Sequence, residues 1–139
     1  PGCSNAVDNE ETDVSGPSEL MFDDFESGLG GWTLITVSGG NPWMTTNTNI
    51  FEGIYSAQSQ PSSTSEPASV MERGVSTLGY SNIEISYYRQ LVGLDAADEF
   101  KAKWFDGTIW NIMEESGGNS VNDAGYILKT FNLMLKKSV

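Results

Sequence analysis

Three carboxylates fall within four residues in the run Asp23-Asp24-Phe25-Glu26-Ser27-Gly28-Leu29-Gly30-Gly31-Trp32. Acids so spaced admit three readings. A pair beside a glycine turn could hold a hard cation through carboxylate oxygens and turn carbonyls. Two carboxyl groups could work as the acid and base of glycoside hydrolysis. Or the acids simply solvate a strand end. On a strand, Asp24 and Glu26 point one way and Asp23 the other. Asp24 and Glu26 are therefore the candidate ligands of a structural hard cation. Nothing elsewhere in the chain supports a hydrolytic pair.

A second acidic stretch, Gly93-Leu94-Asp95-Ala96-Ala97-Asp98-Glu99, lacks the spacing of an EF-hand loop. It reads as a polar connection, with a second cation site as the alternative. Histidine is absent and Cys3 is the lone cysteine. Triads, Cys-His dyads and common zinc sites are thereby excluded, as is an intrachain disulfide. With no nucleophile–base pair and no phosphate-binding loop, a non-catalytic protein is expected.

Nineteen acids against seven Lys and Arg give a net charge of −12. Such a chain does not suit nucleic acid or anionic membranes, which need clustered cations. No apolar run is long enough to span a bilayer. Residues 1–18 are polar and acidic, without Lys or Arg, and read as a tether. The chain opens on Pro1, as a processed, trimmed or partial sequence would. Pro1-Gly2-Cys3 resembles the end of a bacterial lipobox, which makes Cys3 a candidate lipidation site and lipid anchor. The alternative is a stray thiol.

The elements that must position these groups repeat with period two. Ile83, Ile85, Tyr87 and Leu91 share one face; Glu84, Ser86, Tyr88 and Gln90 share the other. Phe100-Lys101-Ala102-Lys103-Trp104 alternates as well. Asp106-Gly107 signals a hairpin into 108–114, with Trp110 and Ile112 expected inward. Further strands are expected over 20–26, 32–37, 54–59, 68–75 and 126–135. The stretch 60–67 reads as a polar loop. No segment reads as an amphipathic helix. Residues 19–139 thus predict one all-β domain, an antiparallel sandwich or barrel.

Four Trp, five Tyr and six Phe suit an aromatic core. Trp32, Trp43, Tyr55, Tyr80, Trp104 and Trp110 are assigned to it. Tyr88 and Phe105 lie out of phase with their apolar neighbours, so they are the candidate ligand-contacting aromatics. Arg89 is in phase with Ile83, Ile85 and Tyr87. Glu114 is in phase with Trp110 and Ile112. Both are expected inward, and a buried charge needs a partner, so Arg89 and Glu114 are expected to pair if their strands lie close.

The opening run resembles the amino-terminal signature of MAM-type domains and of cleaved-adhesin-type jelly-roll modules of bacterial secreted proteins. Asn41-Pro42-Trp43, Gly53-Ile54-Tyr55-Ser56-Ala57 and Asp106-Gly107-Thr108-Ile109-Trp110 follow in the order those modules carry similar motifs. Gly30 stands where MAM domains have a disulfide cysteine, so a prokaryotic relative fits better. The resemblance implies a jelly-roll β-sandwich, calcium near Glu26, and a binding or adhesion module outside the cell, its partner a glycan or a cell-surface protein. Such modules continue beyond the segment matching Phe131, so two expectations stand side by side: a truncated or frameshifted sequence, or a sandwich that lacks its closing strand and is completed differently. That motivates an alternative: a subunit of a surface filament or layer, self-associating by strand exchange through the open edge.

Overall fold

A computed structural model describes residues 18–60, 69–118 and 121–134. Cys3, tether residues 1–17 and most of the polar loop, 61–67, lie outside the described residues. Every regular element is a strand: β1 (Thr33–Thr36), β2 (Met44–Thr46), β3 (Ser56–Gln58), β4 (Ser69–Glu72), β5 (Asn82–Arg89), β6 (Glu99–Phe105), β7 (Trp110–Gly117) and β8 (Ile127–Met134). They form four antiparallel pairs, β1–β4, β2–β3, β5–β8 and β6–β7. The chain is all-β, in a form consistent with a sandwich. Among the described residues no helix is long and apolar enough to cross a membrane.

The longest ladder follows the sequence alternation. On β5–β8, Ile83 faces Leu133, Ile85 faces Phe131 and Tyr87 faces Lys129. These residues point inward, and the Tyr87 and Phe131 rings stack at 6.1 Å. The outward face pairs Glu84 with Asn132, Ser86 with Thr130 and Tyr88 with Leu128.

The β6–β7 hairpin forms where Asp106-Gly107 predicts it. Asp106 Oδ1 accepts the amides of Thr108 (2.8 Å) and Ile109 (2.9 Å), and Gly107 takes φ +94°. A left-handed residue there is what the turn requires of a glycine.

Three expectations fail. No strand covers 20–26: Phe25 has φ +63°, which breaks an extended backbone. The acids themselves shape this bend. Asp23 Oδ1 accepts the Phe25 amide at 2.7 Å, and Asp24 Oδ1 accepts the Glu26 amide at 3.1 Å. Short acidic side chains that bond their own backbone compete with a ladder. Asp24 and Glu26 are therefore not set on one face by strand alternation.

Trp110 and Ile112 also point outward, 52% and 56% exposed. The reason is a β-bulge. Lys103 pairs with Ile112 and Ala102 with Glu114, leaving Met113 as the extra residue. An added residue reverses the facing of everything beyond it. Glu114 turns in while Trp110 and Ile112 turn out. Tyr55 and Tyr80 are likewise exposed, whereas Trp32, Trp43 and Trp104 are half-buried.

The Arg89–Glu114 pair is present. Arg89 Nε donates to Glu114 Oε1 at 2.7 Å, and its second guanidinium arm donates to Asp123 Oδ2 at 2.6 Å. Tyr87 Oη donates to Glu114 Oε2 at 2.6 Å, Ser116 Oγ to Oε1 at 3.0 Å, and Lys129 lies 3.6 Å away. Glu114 is 6% exposed, below Leu91 and Leu133 at 9%. Burial alone would raise its pKa; hydrogen bonds from Arg89, Tyr87 and Ser116 outweigh that and hold it below its ordinary value of 4.5. Burial, then the bond and charge of Glu114, push the Tyr87 phenol well above its usual range.

Removing one member of a buried pair strands the other, at about 3–5 kcal/mol. Glu114→Ala should lose about that much in urea unfolding at pH 7. A depressed carboxyl pKa contributes stability above its unfolded value that is lost as pH falls through the folded value. The stability gap between wild type and Glu114→Ala should therefore narrow as pH drops below 4.5. A gap unchanged from pH 7 to pH 3 would refute this account of the network.

Candidate functional site

Each acid of the opening run has a definite structural engagement. Asp23 Oδ2 accepts Trp32 Nε1 at 2.7 Å and lies 3.3 Å from Arg73 Nη1. It joins the bend to the end of β4. The Phe25 and Trp32 rings pack at 6.1 Å, and the chain turns between them through Gly28 (φ +87°), whose amide donates to the Phe25 carbonyl.

Glu26 reaches further. Its Oε1 accepts the amides of Ile54 at 2.8 Å and Tyr55 at 2.9 Å. These belong to the 47–55 connection between β2 and β3. A Cβ on Gly53 would lie 2.2 Å from Glu26 Oε1, and Gly53 has φ +73°. Both the approach and the backbone therefore require glycine here.

The same connection carries Phe51, which stacks on Tyr88 with centroids 3.9 Å apart and planes at 17°. Tyr126 lies 5.4 Å from Phe51 at a tilt, and its hydroxyl donates to the Asn49 carbonyl. Ser56 Oγ donates to that carbonyl too, at 3.4 Å. Asn49 is left-handed (φ +56°), a conformation asparagine tolerates better than most residues. Tyr88 is thus exposed, as its phase predicts, and belongs to a three-ring cluster.

Phe105 is exposed as well. It pairs in register with Trp110, ring centroids 5.3 Å apart. Ile109 and Ile112 are exposed on the same hairpin, and Lys103 faces Ile112 across the ladder. A second aromatic surface therefore exists because the bulge turns Trp110 out.

In the 93–99 stretch, Asp95 and Asp98 serve the local backbone, and Glu99 pairs with Lys101 at 2.8 Å. Asp98 Oδ2 accepts the Asp95 amide and Asp95 Oδ1 the Ala97 amide, both at 3.0 Å. Among the described residues no three Asp, Glu, Cys or His side chains gather as a metal group. Asp24 and Glu26 remain hard oxygen donors suited in type to calcium, each with one oxygen given to backbone amides.

Against known proteins the chain matches no family model, no curated protein and no solved structure. The site must be argued from its own geometry.

Sequence reasoning missed Phe51, Tyr126 and Asp123. Phe51 sits in a connection without periodicity. Tyr126 precedes β8 and was assigned to the strand itself. Asp123 binds Arg89 and also accepts the Leu91 amide at 2.7 Å, but nothing in Val121-Asn122-Asp123 marks it as inward. The Gly53-Ile54-Tyr55 motif was visible; its partner Glu26 was not.

The clamp yields a test. Glu26→Ala leaves two amides without their acceptor, and Gly53→Ala meets both a clash and a left-handed backbone. Each should cost about 1–3 kcal/mol in chemical denaturation. Glu26→Gln keeps an acceptor oxygen and should cost less than Glu26→Ala. Equal losses for Gln and Ala would contradict the hydrogen-bonded clamp.

Proposed function

We propose that this chain is a non-catalytic binding or adhesion module displayed outside the cell, a jelly-roll relative of MAM-like and cleaved-adhesin-like domains that recognises a glycan or a protein. One observation carries the reading: stacked or paired aromatic side chains stay exposed in two places, where Phe51 of the 47–55 connection lies on outward Tyr88 and where Phe105 meets Trp110. Aromatics left at a surface with polar neighbours are a common basis of recognition. The most buried acid, Glu114, and its neighbour Asp123 are engaged with Arg89, which supports a structural role for them and not a catalytic one.

A panel of immobilised glycans and cell-surface proteins probed with the full chain tests this. Saturable binding to one of them, weakened by combined Tyr88→Ala and Phe105→Ala, is expected. No binding to any of them would end the reading.

The alternative is a subunit of a surface assembly. Its support is that every strand belongs to a two-stranded ladder and so keeps an unpaired edge among the described residues. Open edges invite pairing with another copy. Light scattering on the same preparation decides: a strictly monomeric, folded, ligand-binding protein favours the module.

Calcium is part of the proposal. Glu26 and Asp24 would hold the ion, and its contribution would be to tie the 24–26 bend to its surroundings. Calcium should raise the melting temperature of wild type over that in chelator. Glu26→Gln should retain the clamp yet lose most of that increment. An identical melting temperature with calcium and with chelator would remove the ion from the account.

A further inference from the structure

We infer that Phe51 and Tyr88, with Tyr126 beside them, form a stacking site for a neutral saccharide, and that Glu26 is the residue positioning its loop-borne half. This rests on the binding-module reading and assigns it a place, a ligand chemistry and a control point.

The rings come from three separate parts of the chain: the 47–55 connection, the outward face of β5, and the lead into β8. Although stacked, Phe51 and Tyr88 stay 46% and 49% exposed. The cluster is a surface, not a core.

Beyond Tyr88 the outward face of β5–β8 is polar. Ser86 pairs with Thr130 and Glu84 with Asn132, in steps of about 7 Å along the strand. A ligand lying along the ladder would meet aromatic faces at one end and hydroxyl, amide and carboxylate groups at the other. No Lys or Arg occupies these outward positions, while Glu84 lies on the face and Glu52 adjoins Phe51. With a net charge of −12, this field repels anionic ligands. A neutral sugar fits. Its C–H face packs on a ring, and its hydroxyls find donors and acceptors. The Phe105–Trp110 face differs, with Ile109 and Ile112 beside its rings and Lys103 opposite Ile112.

The loop half is held in advance. Asn49 is fixed on one side of Phe51 by Tyr126 and Ser56. The 53–55 backbone is fixed on the other side by Glu26. Phe51 lies between two anchors, which lowers the cost of ordering it on binding.

Calorimetric titration with cellohexaose, xylohexaose and mannohexaose, beside a sulfated hexasaccharide, tests the inference. At least one neutral probe should bind and the sulfated one should not. Phe51→Ala and Tyr88→Ala should each weaken binding at least tenfold, with Phe51→Trp retaining it. Leu78→Ala, at a turn outside the site, should match wild type. Glu26→Ala should weaken binding severalfold while Glu26→Gln stays within about twofold of wild type; a role in stability alone would leave the affinity of the folded fraction unchanged. Circular dichroism confirms the fold of each variant. Neutral-sugar binding lost in Trp110→Ala but kept in Phe51→Ala and Tyr88→Ala overturns the placement and leaves the module reading standing. Failure of all neutral probes overturns the saccharide inference, whereas the module reading falls only if the wider panel fails too.

Discussion

The ion pair between Arg89 and Glu114 is the interaction on which the larger half of the molecule depends. It joins β5 to β7, and through Tyr87, Lys129 and Asp123 it reaches β8 and the connection before it. Two charges taken from water are costly, and their attraction offsets this only when the remaining lone pairs are also satisfied. Here they are, since Glu114 accepts from Arg89, Tyr87 and Ser116. The consequence is directional. An apolar contact would tolerate a sliding of one ladder over the other. A guanidinium held between two carboxylates does not, so the β5–β8 and β6–β7 pairs gain a defined relative placement.

The same logic recurs on a smaller scale. A two-stranded ladder is marginal on its own, and the described residues form four. Side-chain ties join them. Asp23 links the opening bend to Arg73 after β4; Glu26 links it to the β2–β3 connection; Phe51 carries that connection onto Tyr88 of β5. Two carboxylates of the opening run, Asp23 and Glu26, are thus cross-links between elements far apart in sequence, while Asp24 bonds within the bend.

Much of this was legible in the sequence where the physics is local. Alternation over 82–91 and 100–104 marked β5 and β6, and Asp106-Gly107 marked the turn. The Arg89–Glu114 pair followed from the need of inward charges for partners. Yet its derivation was partly mistaken. Trp110, Ile112 and Glu114 share one phase in the sequence, and a single unpaired residue at Met113 separates them in space. The bulge leaves no mark on the sequence pattern here, because Trp110 and Ile112 are apolar although they face outward. The opening bend was hidden for another reason: Phe25 adopts a left-handed backbone that neighbouring acids stabilise, against its own preference. Phe51 was illegible because its partner, Tyr88, lies in another ladder.

These hidden features are also the ones nearest the proposed function. The bulge that buries Glu114 is what turns Trp110 outward, so one residue contributes both to the central ion pair and to an exposed aromatic face. The clamp that satisfies Glu26 is what sets Phe51 on Tyr88. At Glu26 a carboxylate placed for structural reasons holds the connection that carries a surface ring. Such coupling accounts for why the apolar groups need not be buried for the fold to be specific. The polar ties supply the register, and the rings they position are left facing solvent. The opening acids therefore act on the surface rings at one remove, through the backbone they hold.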